Sequence, residues 1–431
     1  MRAVFAPLSA LFLAACASGP QSETNLTADT SPAAEAAPAP FHETAHLWLE
    51  EVEGAQALAW VTAQNERTLA ELEADPRYAG FEAEALEVLN SSERIPYGSV
   101  RDGYVYNFWQ DETNVRGLWR RTPLASYATE TPDWETLIDF DKLAADEGAN
   151  WVYKGANCLR PPPGGEWRCL VSLSDGGKDA VINREFNLAT KQFVEGGFVT
   201  AEAKQGLAWA GPDTLLIATD WGEGTLTDSG YPSIVKRWQR GTPVEEAVEL
   251  FRGKETDVGV WPMTMKLEDG RILQGAVQSE TFFTQKYFWF PEGEAAPVQW
   301  PLPLKATPNG IYKGQFLFTI EQDWTPEGQD AFKAGDLLAF ELDAFLTTRK
   351  LPPVTLAFRP SETQAVNGVA IAKGAALLSI SDNVVGKVLR IEPSASGWTT
   401  TPVELPGTGE VGIAFADEDE TAVFLNYEDF L

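Results

Sequence analysis

From Ile95 onward the sequence is written in short strand-like runs separated by turn residues, and this texture holds for more than 300 residues. Runs such as Tyr104–Trp109, Leu170–Leu173, Thr214–Ala218, Gln315–Ile320, Ala376–Ile380, Lys387–Ile391 and Ala422–Leu425 alternate with Gly, Pro, Asn and Asp. β-branched and aromatic side chains suit a pleated, half-buried surface, and the punctuating residues supply the bends. A β region of this size exceeds one sandwich. A loose recurrence of turns at Asp175-Gly176-Gly177, Gly211-Pro212-Asp213, Glu268-Asp269-Gly270 and Asp417-Glu418-Asp419 divides it into units of roughly 45–50 residues, enough for radial blades of four short strands. The expected class is all-β.

Before Ile95 the pattern is different. Residues 44–94 read as a short helical arm: Ala57, Leu58, Val61, Leu69 and Leu72 recur at helical spacing, and Phe81 to Leu89 repeats the pattern after the breaker Asp75-Pro76. Such a face needs an apolar partner. Residues 1–16 have the form of a lipoprotein signal peptide. Arg2 gives a positive start, Val4 to Ala15 an apolar stretch too short to span a bilayer, and Leu13-Ala14-Ala15-Cys16 resembles a lipobox with Cys16 as the lipidated thiol. Residues 17–43 form a flexible tether, and residues 1–40 are left out of the fold. The expected location is the periplasm of a Gram-negative bacterium, with the membrane reached through a lipid anchor.

Two further cysteines, Cys158 and Cys169, flank turn residues centred on Pro163-Gly164. A hairpin there places the thiols opposite each other, which in an oxidising compartment favours a disulfide; two buried free cysteines are the alternative. The chain carries 63 acidic and 33 basic residues, net −30, and repels nucleic-acid phosphates and anionic lipid, so nucleic acid is not an expected partner. Fifteen tryptophans suit blade cores better than a sugar-binding surface. His42 and His46 have metal-chelating spacing without further ligands, and the acidic run Asp417–Glu420 reads as a solvated turn rather than a calcium loop. No metal or cofactor is expected.

Leu47-Trp48-Leu49-Glu50-Glu51, followed by Trp60-Val61-Thr62-Ala63-Gln64-Asn65, resembles the opening of the prolyl oligopeptidase family, the S9A serine peptidases. The likeness continues through Ile95-Pro96-Tyr97, Leu118–Thr122, Leu173–Gly177, Ser229–Pro232 and Val235–Trp238. It implies a helical arm, a seven-bladed β-propeller over residues 95–431, and a C-terminal α/β-hydrolase domain on which the arm packs. The propeller would then admit short peptides and exclude folded proteins. Some members place a propeller aromatic in the substrate pocket; Lys204 stands at the nearest match, and that role is not carried over.

The chemistry of that family requires a serine in Gly-x-Ser-x-Gly and a histidine base oriented by a carboxylate. No serine here has that setting, and neither histidine follows a candidate serine. No catalytic residue is assigned, the hydrolase domain is expected to be absent from this chain, and the chain alone is expected to be inactive. The leading reading is the propeller portion of a prolyl-oligopeptidase-like peptidase that selects short peptides. Two others are a stand-alone propeller lipoprotein that binds peptides or scaffolds a complex, and a propeller enzyme of different chemistry.

Overall fold

The computed structural model describes residues 43–161 and 165–429. Cys16, His42, most of the tether and the Pro163-Gly164 hairpin tip lie outside the described residues. The chain divides into two compact units between Ser91 and Ser92.

The first unit is the arm. A 3₁₀ helix (Glu43–Glu50) precedes two α-helices, Ala55–Glu73 and Tyr78–Asn90. Ala, Leu and Glu, all strong helix formers, recur in both α-helices. The break falls at Asp75-Pro76, where proline cannot donate a backbone hydrogen bond. There the Asp75 carboxylate accepts from the Arg77 backbone N–H at 2.9 Å and from its guanidinium at 2.7 Å. Trp48 meets Trp60 edge to face at 6.3 Å. Among the arm residues whose burial is described only Ala57 is buried, while Leu58, Leu69, Leu72, Phe81, Leu86 and Leu89 are all exposed.

The second unit contains seven antiparallel sheets, each made of strands consecutive in the sequence. Numbered as blades in chain order, they cover residues 99–139, 151–193, 206–252, 259–299, 306–358, 364–402 and 410–428. Blades 1 to 6 have four strands. Blade 7 has two among the described residues, Glu410–Phe415 and Phe424–Glu428.

The apolar residues explain why these sheets form a ring. Each of six core clusters lies between two successive blades. Trp119, Cys169 and Phe186 fill the space between blades 1 and 2, and Phe198, Trp209 and Trp238 that between blades 2 and 3. Val235, Phe251 and Ala276 join blades 3 and 4, and Trp300, Phe316 and Phe340 join blades 4 and 5. Leu378 and Ile391 pack with Leu317 and Leu337, and Val388 packs with Val411. One sheet face cannot be buried without the next sheet, so burial propagates around the ring.

Among the described residues, blades 7 and 1 meet through side chains. The Tyr127 ring stacks on Phe424 at 5.4 Å, and the Tyr97 hydroxyl donates to Asn426 Oδ1 at 2.8 Å. Four tryptophans (Trp119, Trp209, Trp238 and Trp300) are buried in blade cores.

Two details differ from expectation. Short helices interrupt the β region at Phe140–Glu147 and Leu342–Thr348. The turn recurrence is also mixed: Asp175–Gly177 starts a second-to-third strand connection, whereas the other three turns join first and second strands. The repeat unit is the blade, and its length varies with the long connections at residues 219–233 and 321–336.

Candidate functional site

Strand alternation gives the propeller two distinct faces. The chain enters blade 1 on one of them, here called the upper face. Second-to-third strand connections and the links between blades lie there too, and the last described strand, Phe424–Glu428, runs back toward it. First-to-second strand turns lie on the opposite, lower face.

Apolar tips mark the upper face. Phe282 and Phe283, in the connection between the second and third strands of blade 4, are 83% and 75% exposed. Val384 occupies the equivalent turn of blade 6 at 93%, with a φ of 62°. A β-branched residue in that backbone region is strained, which a turn selected for folding alone would avoid. Val115 in blade 1 and Leu304 between blades 4 and 5 are exposed on the same face. Large apolar tips gathered on one side of a ring mark an interaction surface.

The lower face is polar and ion-paired. It carries the Asp417–Glu420 turn of blade 7, and here the structure corrects the expectation of a solvated turn: all four acidic residues are half-buried. Asp419 accepts from Lys266 Nζ at 2.7 and 2.6 Å and pairs with the Arg160 guanidinium at 2.8 Å. Glu420 Oε1 accepts from the Asp102 backbone N–H at 3.0 Å, and the Glu420 carbonyl accepts from the Lys373 backbone N–H at 2.9 Å. Arg101 lies over the rings of Tyr106 and Trp167 at 5.0 and 5.8 Å. Burial holds the Lys266 ammonium below its ordinary pKa, helped by repulsion from Arg160 and Lys373 and opposed by Glu418 and Asp417.

Cys158 and Cys169 occupy paired positions on the first and second strands of blade 2 and are joined by a disulfide. The bridge sits in the core between blades 1 and 2, at the base of the hairpin that carries Arg160. Reducing it opens a short loop, and the expected cost is about 3 kcal/mol. A thermal melt with and without reductant measures this.

The remaining candidates are scattered. His46 is exposed on the 3₁₀ helix of the arm, and among the described residues no group of three or more His, Cys, Asp or Glu is placed to hold a metal. Lys204 lies in the link between blades 2 and 3 with its ammonium 4.5 Å from the centre of the Tyr231 ring. A cavity of about 520 Å³ on blade 1 is lined by Trp109, Arg120 and Trp134. Arg120 is held between the two indoles at 4.4 and 4.2 Å, and burial lowers its pKa to about 10. That sandwich orders the blade edge and offers no nucleophile or base.

A ring of antiparallel sheets, each built from consecutive strands, with exposed apolar tips on its upper face and ion pairs on its lower face defines a β-propeller domain. A family model for the prolyl oligopeptidase N-terminal β-propeller domain matches residues 45–431. The chain belongs to the prolyl oligopeptidase family and comprises that propeller domain. It is 37% identical over 389 residues to the uncharacterized peptidase y4nA of Sinorhizobium fredii, covering 89% of this chain and 53% of that protein. It is 30% identical to the uncharacterized peptidase RP174 of Rickettsia prowazekii, covering 88% of this chain and 54% of that protein. Among solved structures it is similar to a post-proline cleaving enzyme from Rickettsia typhi, with a TM-score of 0.77 and 29% identity over 86% of this chain and 55% of that one. The chain spans about half the length of the relatives it matches.

Proposed function

We propose that this propeller is the substrate-selecting half of an exported oligopeptidase. A hydrolase domain docked on its upper face would supply the catalytic serine, and the chain alone would be inactive. The observation that carries this reading is the gathering of exposed apolar tips, Phe282, Phe283 and Val384, on the upper face, where the links between blades also lie. The exposed leucines of the arm supply a second apolar surface for the same domain. Short peptides, cleaved after proline as in the Rickettsia typhi relative's name, are the substrate class the family supports. Cys16 as a lipid anchor and the Cys158–Cys169 disulfide both suit a periplasmic location.

The direct test is the coding sequence beyond the Leu431 codon. A Gly-x-Ser-x-Gly motif followed by Asp and His supports the reading, and a stop followed by unrelated sequence favours a stand-alone peptide-binding propeller. At the protein level, the isolated chain is expected to self-associate through its uncovered apolar surfaces. Replacing Phe282 and Phe283 together by serine should reduce that association in sedimentation experiments. The same change should leave the melting transition nearly untouched, since exposed tips contribute within about 0.5 kcal/mol.

A further inference from the structure

We propose that the Asp417–Glu420 turn is an ion-paired stopper laid across the axis of the ring, closing the lower face and latching opposite blades together in a way that high salt releases. The argument is one of position. In a ring of seven, blade 4 lies as far from blade 7 as the ring allows, yet its Lys266 reaches Asp419 at 2.6 Å. Arg160 of blade 2 reaches the same carboxylate at 2.8 Å. A turn lying along the rim would meet only blades 6 and 1. One carboxylate can bond cations from blades 2 and 4 together only if it lies near the axis.

The backbone contacts agree. Glu420 is held by Asp102 of blade 1 and Lys373 of blade 6, so the turn is gripped from four other blades. Its own geometry is fixed as well, with the Asp419 N–H donating to Asp417 Oδ1 at 2.9 Å.

The charges complement one another in number. Four acidic residues of the turn (Asp417, Glu418, Asp419 and Glu420) face four basic ones: Arg101, Arg160, Lys266 and Lys373. Each basic residue stands at the end of, or just after, the first strand of its blade. In a chain of net charge −30, such a cluster of cations at one level of the ring is a specific arrangement. Its partner is an internal acidic segment. The contacts are charge-assisted and partly desolvated, so they outweigh an ordinary surface ion pair. They remain partly open to solvent, and at 1 M salt the screening length falls to about 3 Å, comparable with the contact distance itself.

Hydrogen exchange on the whole chain tests this. At low salt the turn should be protected. Asp419→Ala should speed exchange roughly tenfold, as expected for losing charge-assisted hydrogen bonds, in the turn and also in the segments carrying Lys266 and Arg160. Glu418→Ala, which removes a charge near Lys266 but no hydrogen bond, should speed exchange in the three segments much less than Asp419→Ala does. Raising salt to 1 M on the unmodified chain should reproduce the Asp419→Ala pattern without any mutation. Fast exchange of the turn at low salt would overturn the proposal. So would an Asp419→Ala effect confined to blade 7, or wild-type protection that ignores salt.

Discussion

Replacing Trp300 by alanine is expected to lower the stability of the propeller by about 3–5 kcal/mol, the range for deleting a large buried aromatic. Trp300 is 1% exposed and packs, tilted, against Phe316 at 4.7 Å and Phe345 at 4.8 Å, so its indole fills the wedge between blades 4 and 5. The surrounding rings, Phe340 among them, are held by their own strands and cannot collapse into the space left. Trp300→Phe should cost much less. The indole Nε1 is buried with no hydrogen-bond partner, and phenylalanine removes that orphan donor while keeping most of the apolar volume. Denaturant melts of both variants check the contrast. Equal losses would mean that the indole nitrogen is satisfied by buried water.

The second large effect is expected at Glu185, whose side chain is fully buried in blade 2. Its carboxylate accepts from Arg240 of blade 3 at 2.7 and 3.0 Å, from the Phe198 backbone N–H at 2.8 Å, and lies 3.5 Å from Arg168. Glu185→Ala deletes a buried anion, orphans the Phe198 N–H and leaves Arg240 with only Asp213, at 2.7 Å, and the Pro212 carbonyl, at a cost of about 3 kcal/mol. Removing Arg240 as well should cost less than the sum of the two single losses, because the two side chains are bonded to each other. A double-mutant cycle measures the difference. Simple additivity would show that the pair is not coupled.

Much of this architecture is legible in local sequence. Tyr104–Trp109 and Gln315–Ile320 are strands at the bounds their composition implies, because a β-branched or aromatic run between turn residues has few other ways to be buried. The arm is equally plain, since helical spacing is a property of neighbours. Short helices are harder to see. Phe140–Glu147 is capped by Asp139, whose side chain accepts from the Lys142 N–H, and ends at Gly148 with a φ of 66°. Both signals stand in the sequence, but eight residues give too little periodicity to notice.

The acidic turn shows where local reading fails. Four consecutive acidic residues look solvated when only their neighbours are considered. Their partners lie far away in sequence, Lys266 being separated from Asp419 by 153 positions. A usable signal did exist: Arg101, Arg160, Lys266, Lys313 and Lys373 stand at the end of, or just after, the first strand in five blades, and the seventh has four consecutive acids in the turn that follows its first strand. Seeing it requires aligning the blades with one another, which their low mutual similarity obscures. The upper-face tips are hidden for a related reason, since nothing local distinguishes Phe282-Phe283 from a core pair until its place in a connection is known.

That every sheet is made of consecutive strands bears on how the ring is assembled during synthesis. Each core between successive blades needs only the stretch of chain just made and the one before it, so burial can proceed in the order of translation with little delay for distant segments. The seam between blades 7 and 1 is the exception. Tyr97 and Tyr127 are synthesised early and wait for Asn426 and Phe424, more than 290 positions downstream. Until then the blade 1 edge is an unsatisfied surface on a nearly finished structure. The arrival of Phe424 and Asn426 therefore decides when that edge of blade 1 stops being a target for proteases and chaperones.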